Sequence, residues 1–242
     1  MRNSIISLAS AMIVVFTPLA YSQQDVQPEA DKILKNAQAF MSAQKSVEIV
    51  AAVTEEEVYD DAHKLQFGGT LKILIKRPAQ MSVTNHSDYR NTQAYLNKGV
   101  FTLYDEDVNV YAQAPAPGTF ADALASIYAK TGTVPGGAEL FSGHAYELLV
   151  SNASKVIYVG KSNVEGNSCH HIAGILPDMD WQLWVRAEGD PVLCKYVVTD
   201  RDTPMAPQYT MTFTQWKSNA DVSDKQFEFQ PPADAEAIDI IK

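Results

Sequence analysis

The sequence predicts a mainly β fold of the α+β class, an antiparallel sheet carrying a few helices, on three observations. Asn167 to Asp200 holds three strand-like runs in succession, Cys169 to Leu176, Asp180 to Arg186 and Val192 to Thr199. The connections between them, Pro177-Asp178 and Glu188-Gly189-Asp190-Pro191, are turn-forming and short enough to join only antiparallel neighbours. Similar runs recur at hairpin spacing along most of the chain, the signature of a meander rather than of βαβ units. Helical periodicity, by contrast, is confined to a segment near the start and an interruption in the middle.

Taken in order, Met1-Arg2-Asn3 is a short positive leader, Ile5 to Leu19 an apolar run, and Ala20-Tyr21-Ser22 places small residues, Ala20 and Ser22, at cleavage spacing. Residues 1–22 therefore read as a secretory signal peptide, the run being shorter than the ~20 apolar residues of a spanning helix. Residues 23–242 are read as a single exported domain, expected to be a monomer. The formal charge of −10 disfavours nucleic acid and anionic membrane surfaces as partners.

From Pro28 to Ala43, Ala30, Ile33, Leu34, Ala37, Phe40 and Met41 fall at three- and four-residue steps, predicting an amphipathic helix that lies against the sheet. Pro28 suits a first turn, and Glu29 and Asp31 complement the helix dipole there. Val47 to Tyr59 and Lys64 to Lys76 then form a long hairpin through Asp60-Asp61-Ala62, free to bend at Gly68-Gly69 and stopped by Arg77-Pro78. Met81 to Thr84, Gln93 to Leu96, Val100 to Tyr104 and Val108 to Gln113 continue as short strands.

Pro115-Ala116-Pro117-Gly118 breaks the pattern, and Thr119 can cap a helix with Phe120, Ala123, Leu124, Ile127 and Tyr128 on one stripe. A second short helix is predicted over Ser142 to Val150, with Tyr146, Leu149 and Val150 inward. Between them Thr131 to Gly137 is rich in Gly and Pro and joins two apolar segments, which makes it a candidate lid, although a plain surface connection fits as well. Strands resume at Lys155 to Ser162, pass through the three-strand meander and end with Gln208 to Trp216 and the tail Phe227 to Pro232. In the meander's central run Trp181, Leu183 and Val185 share an apolar face, and Gln182, Trp184 and Arg186 share the mixed one.

Several of these stretches carry a resemblance: Tyr104-Asp105 with Asn109 to Ala112, Cys169-His170-His171, Asp180 to Trp184, Pro191 with Lys195, Pro207-Gln208-Tyr209, and the Phe227 to Pro232 tail. They resemble a family of predicted bacterial periplasmic proteins. Through its strand order and closing Phe-x-Phe-x-Pro-Pro segment, that family is similar to the half-barrel superfamily of periplasmic lipoprotein carriers and stress-sensor domains. The resemblance implies a periplasmic location and a strongly curved antiparallel sheet, a half barrel, wrapped around a few helices. It also implies a hollow between them for acyl chains or a partner segment. No ligand-locking residue can be carried over onto a matching motif.

The chemistry points the same way by what it lacks. Hydrolase, zinc-protease, thioredoxin-like and phosphate-loop motifs are missing, so no enzyme activity and no cofactor are expected, a hydrolase being the third reading. Cys169 and His171 share a strand face, but two ligands are too few for a zinc site, and a buried Cys beside a hydrogen-bonded His is the better reading. Cys169 and Cys194 lie two strands apart, about 9.6 Å for level residues, beyond the ~7 Å reach of a disulfide, so two free thiols are expected. The expected function is therefore a carrier of a hydrophobic ligand, an acyl chain, lipid or lipoprotein. Its predicted cavity residues are Phe120, Leu124, Ile127, Tyr128, Tyr146, Leu149, Trp181 and Leu183, with Gly136 and Gly137 as gate. The alternative is an envelope interaction or sensor protein that docks a partner peptide in the same groove.

Overall fold

A computed structural model of the chain describes residues 25–60, 63–131 and 135–239. The leader over 1–22 and residues 132–134 of the expected lid lie outside the described residues. The elements run β1 (Asp25–Val26), α1 (Pro28–Ala43), β2 (Ser46–Tyr59), β3 (His63–Lys76), β4 (Gln80–Ser87), β5 (Thr92–Asn97), β6 (Val100–Asp105) and β7 (Val110–Pro115). There follow α2 (Phe120–Thr131), a 3-10 helix (Pro135–Phe141), α3 (Ala145–Val150), β8 (Lys155–Val164), β9 (Asn167–Ile175), β10 (Met179–Arg186) and β11 (Leu193–Asp200). The chain closes with β12 (Gln208–Ser218), a 3-10 turn (Asp224–Phe227) and β13 (Glu236–Ile238).

The thirteen strands form one curled sheet in the order β1-β8-β9-β10-β11-β12-β2-β3-β4-β5-β6-β7-β13. Two meanders, β2 to β7 and β8 to β12, meet where β12 pairs antiparallel with β2. The long hairpin holds one register from Ser46↔Lys76 to Tyr59↔His63. Both outer edges are closed by short parallel strands that sequence patterning does not signal, β1 on β8 and β13 on β7. Edge strands this short present little backbone of their own for pairing with other chains. Val108, expected in a strand, instead sits 64% exposed in a turn, where the Asp105 carboxylate accepts from the Asp107 and Val108 N–H groups.

The apolar faces predicted for α1, β2, β3 and β10 all turn to the concave side and merge there into one core. α1 buries Ala30, Ile33, Leu34, Ala37 and Met41 against it, with its bounds at Pro28 and Ala43 as predicted. Trp181 lies at the centre, 2% exposed, its indole N–H donating to the Leu149 carbonyl at 2.9 Å. Its cross-strand partner is Gly174, and a Cβ there would come within 2.2 Å of the indole ring. Glycine at that position is what lets the ring lie flat over the neighbouring strand.

On the convex face Trp184 stacks on His171, with ring centroids 4.0 Å apart and planes 10° from parallel, and donates to Ser162 Oγ. The tail straps the opposite end of this face. Phe227 is fully buried, and Phe229 sits 5.2 to 5.7 Å from the rings of Tyr95, Tyr104 and Tyr111. Two phenylalanines two residues apart in extended chain point the same way, which is the physical sense of the Phe-x-Phe spacing.

The cysteine expectation is overturned: Cys169 and Cys194 form a disulfide with Cα atoms 6.7 Å apart. The reason is a β-bulge. Trp184 pairs with Lys195 and Val185 with Leu193, so Cys194 is the extra residue between them and has no cross-strand partner. A bulge bends its strand and re-aims a side chain, which breaks the level-strand geometry behind the 9.6 Å figure. It also withdraws Cys169 from any role as a free thiolate.

The two tryptophans give a direct test of the face assignment. Trp181→Ala should cost about 3 to 5 kcal/mol in chemical denaturation, because it empties a buried volume that Gly174 cannot fill. Trp184→Ala, which removes a half-buried stack, should cost clearly less. The reverse ranking would place the core on the other side of the sheet.

Candidate functional site: the concave face and its helical cover

The site is built from the sheet upward. The concave face offers apolar side chains from β2 to β5 and β10 to β12, and four helical pieces lie on it: α1, α2, the 3-10 helix and α3. α2 follows the Pro115 to Gly118 break. Thr119 supplies the predicted cap, its hydroxyl accepting from the Asp122 N–H at 3.3 Å and donating to the Asp122 carboxylate at 2.7 Å. That carboxylate also accepts from the Thr119 N–H, so the two residues close a reciprocal cap. These bonds hold the Asp122 carboxyl below its ordinary range.

Of the predicted cavity residues, seven are brought together and one is not. Phe120, Leu124, Ile127, Leu149, Trp181 and Leu183 are each less than 10% exposed and belong to the common core, and Tyr146 packs against it. Tyr128 is 61% exposed. It lies about 80° around the helix from Phe120, at the margin of a stripe centred between Ala123 and Leu124, so it leaves the core face. The second helix is also shorter than predicted, beginning at Ala145 instead of Ser142, with Gly143 before it in the left-handed region at φ +87°. The gate residues fall inside the 3-10 helix instead of an open loop. A Cβ on Gly137, at φ +62°, would stand 3.1 Å from the end of the Met211 side chain.

Polar bonds tie the cover down at several points. Arg77, at the end of β3, donates through Nε to the Gln44 carbonyl and through Nη2 to the Met41 and Phe141 carbonyls, at 3.0 to 3.2 Å. It thereby caps the C-terminal ends of both α1 and the 3-10 helix, which lack a basic residue in their own last turns. Burial pushes its guanidinium below its ordinary pKa. α3 is tied to α1 through Gln38, whose Oε1 accepts from the Tyr146 N–H, and through Asp31, which accepts from the Tyr146 hydroxyl. That hydroxyl and then Lys35 hold the Asp31 carboxyl below its ordinary range. Stability from Asp31 is present above its unfolded pKa and is lost as pH falls through the lowered folded value, so acid loosens this tie.

Beneath the cover a void of about 10 Å³, room for a single water, lies between Leu34, Met41, Leu140, Tyr146, Leu149 and Leu183. Tyr146, Leu149 and Leu183, three of the predicted cavity residues, line it together. Among the described residues no three His, Cys, Asp or Glu side chains group as a metal site. His171, the other half of the considered pair, stacks on Trp184 and lies 3.0 Å from Gln182 Oε1.

A curled antiparallel sheet closed over by short helices defines a half-barrel protein of the periplasmic type. Residues 30–241 match the model of the family described as Predicted periplasmic protein (DUF2092), and the chain belongs to that family. The periplasm, expected from the leader and the resemblance, is accordingly its location. Among solved structures, an uncharacterized conserved protein from Thermus thermophilus is similar at 11% identity and a TM-score of 0.53, over 87% of this chain and 99% of that one. It shows that the fold is shared. The Mycobacterium tuberculosis lipoprotein LppX aligns at 13% identity and a TM-score of 0.48, over 81% and 98%. A LolA superfamily protein from Nitrosomonas europaea aligns at 11% and 0.42, over 83% and 97%. No curated protein matches the chain. Among the described residues no helix is long and apolar enough to cross a membrane.

The clamp residue, which sequence patterning had used only as a strand stop, supplies the second test. Arg77→Met keeps the apolar stem but removes three charge-assisted bonds, and should destabilise the protein by about 2 to 4 kcal/mol in denaturant. A loss below ~0.5 kcal/mol would mean the two helix ends are held by packing alone.

Proposed function

We propose that the protein is a periplasmic binding or carrier protein that takes a hydrophobic ligand, of the acyl-chain or lipid kind, between the concave face and the helical cover. The observation that supports this most is the nature of the cover. The helical segments meet the sheet largely through apolar side chains, with polar ties from Trp181 to α3, from Arg77 to α1 and the 3-10 helix, and from Lys130 and Ser126 of α2 to the Pro115 carbonyl. An acyl chain that lifts α2 and α3 replaces one apolar contact by another, so the exchange carries little desolvation cost. Burial contributes roughly 0.8 kcal/mol per methylene of the incoming chain. On this proposal the site opens to admit its ligand, and Tyr146, Leu149 and Leu183 meet at the 10 Å³ void between the two layers.

In this reading α2 and α3 move, and the 3-10 helix between them, with Gly136 and Gly137, is the hinge of the gate. Phe120, Leu124, Ile127, Tyr146, Leu149, Trp181 and Leu183 meet the ligand. The second reading is an envelope protein that docks a partner's segment, since the same groove could take a peptide. The protein has no assigned turnover in either reading.

Protein purified from its own envelope, extracted with organic solvent and analysed by mass spectrometry, should yield a near-stoichiometric apolar molecule. Gly136→Ala with Gly137→Ala should slow exchange of a bound fluorescent fatty acid several-fold while changing its affinity less, because the gate and not the site is altered. An empty extract together with no uptake of the fluorescent probe would end the carrier reading in favour of the docking one.

A further inference from the structure

The concave face does not stop where the helices do. Along β2 the inward positions run Val53, 7% exposed, then Glu55, Glu57 and Tyr59, the last 42% exposed. Along the paired β3 they run Leu71, Gly69, Phe67 and Leu65, from 2% to 49% exposed. The cross-strand rows continue the core outward. Val198 pairs with Tyr209, Tyr209 with Glu55 and Glu55 with Phe67. The next row brings Asp200, Pro207, Glu57 and Leu65 side by side, with the Asp200 N–H donating to the Pro207 carbonyl. The result is a groove of about 330 Å³ lined by Val198, Pro207 and Tyr209 together with Glu55, Glu56, Glu57 and Asp200.

Among the described residues no Lys or Arg lines this groove. Lys64, the nearest one on the hairpin, is paired at 2.9 Å with Glu56, which faces the other side of the sheet and also accepts the Gln208 N–H. Among the described residues neither Glu55 nor Glu57 forms an ion pair. Burial, and then Glu57, push the Glu55 carboxyl above its ordinary pKa, as expected of a carboxylate lacking a partner. Asp200 is held by Thr203 and the Asp202 N–H, all neutral donors, and keeps its charge. A groove whose rows continue the core outward and whose rim carries carboxylates without an ion pair of their own is complementary to one kind of molecule.

We propose that this open end receives the head of the ligand, and that the ligand is a cationic amphiphile, a lipid whose chain enters the trough while its ammonium group meets Glu55 and Glu57. The inference rests on the carrier reading above and adds the charge of the ligand to it. Chain burial supplies the affinity, and the rim supplies selection among headgroups, since opposite charges at a partly desolvated mouth attract and like charges are turned away.

The test compares three probes with the same chain, dodecyltrimethylammonium, dodecyl maltoside and dodecyl sulfate, each below its micelle concentration, by titration calorimetry. The cationic probe should bind about tenfold more tightly than the neutral one, and the anionic probe more weakly still. Glu55→Gln with Glu57→Gln should abolish that preference while leaving dodecyl maltoside binding unchanged, which also shows that the variant is folded. Glu165→Gln with Glu188→Gln, an equal charge change in turns at the opposite ends of the strands, should keep it. Neutral binding without a cationic preference, or a preference that survives in the first variant, overturns this inference and leaves the carrier reading standing. Binding of none of the three overturns both, as does binding of only a basic amphipathic peptide.

Discussion

A sheet curled this far presents a concave apolar surface that its own side chains cannot shield, and something must cover it. In this protein the cover is four helical pieces, and nearly every specific feature of the fold serves their seating. Gly174 lets Trp181 lie flat, Trp181 holds the Leu149 carbonyl of α3, and Arg77 gathers the ends of α1 and the 3-10 helix. The convex face and edges are managed separately. There the tail inserts Phe227 and Phe229, the disulfide pins the bulge of β11, and β1 and β13 close the margins.

This division bears on how a packed core could also serve as the proposed binding site. Close packing against a sheet is strong when helices are long and their ties are many. Here α2 has twelve residues and α3 six, and the segment between them turns through glycines. The sheet, by contrast, is knitted by continuous ladders across all thirteen strands. The free energy to open is therefore concentrated in the cover, the element a ligand would have to move.

Much of the architecture was legible because it is periodic. Alternation in Trp181 to Arg186 placed the right face inward, the three- and four-residue steps of α1 gave its bounds, and the Phe120 to Ile127 stripe found the cover. Periodicity is also where the reading failed. Tyr128 sits at the edge of its stripe, where burial depends on which neighbour the helix meets. The Cys169–Cys194 bond depends on one inserted residue at Cys194, and a bulge leaves no mark in composition. The strands β1 and β13 are too short to alternate, and the role of Arg77 is set by helix ends more than thirty residues away in either direction, 33 to Gln44 and 64 to Phe141. As for the proposed site, seven of the residues expected in it are in the core or packed against it. That same fact kept the sequence from showing whether the core opens.

Whether the cover moves as a unit over a rigid sheet is best measured by hydrogen exchange on the intact mature protein, with and without a saturating fatty acid. Amides of α2 and α3 should exchange far faster than those of β9 to β11 in the free protein and slow markedly on ligand addition, with the sheet unchanged. Equal, full protection of helices and sheet in both samples would contradict a cover that opens to admit a ligand.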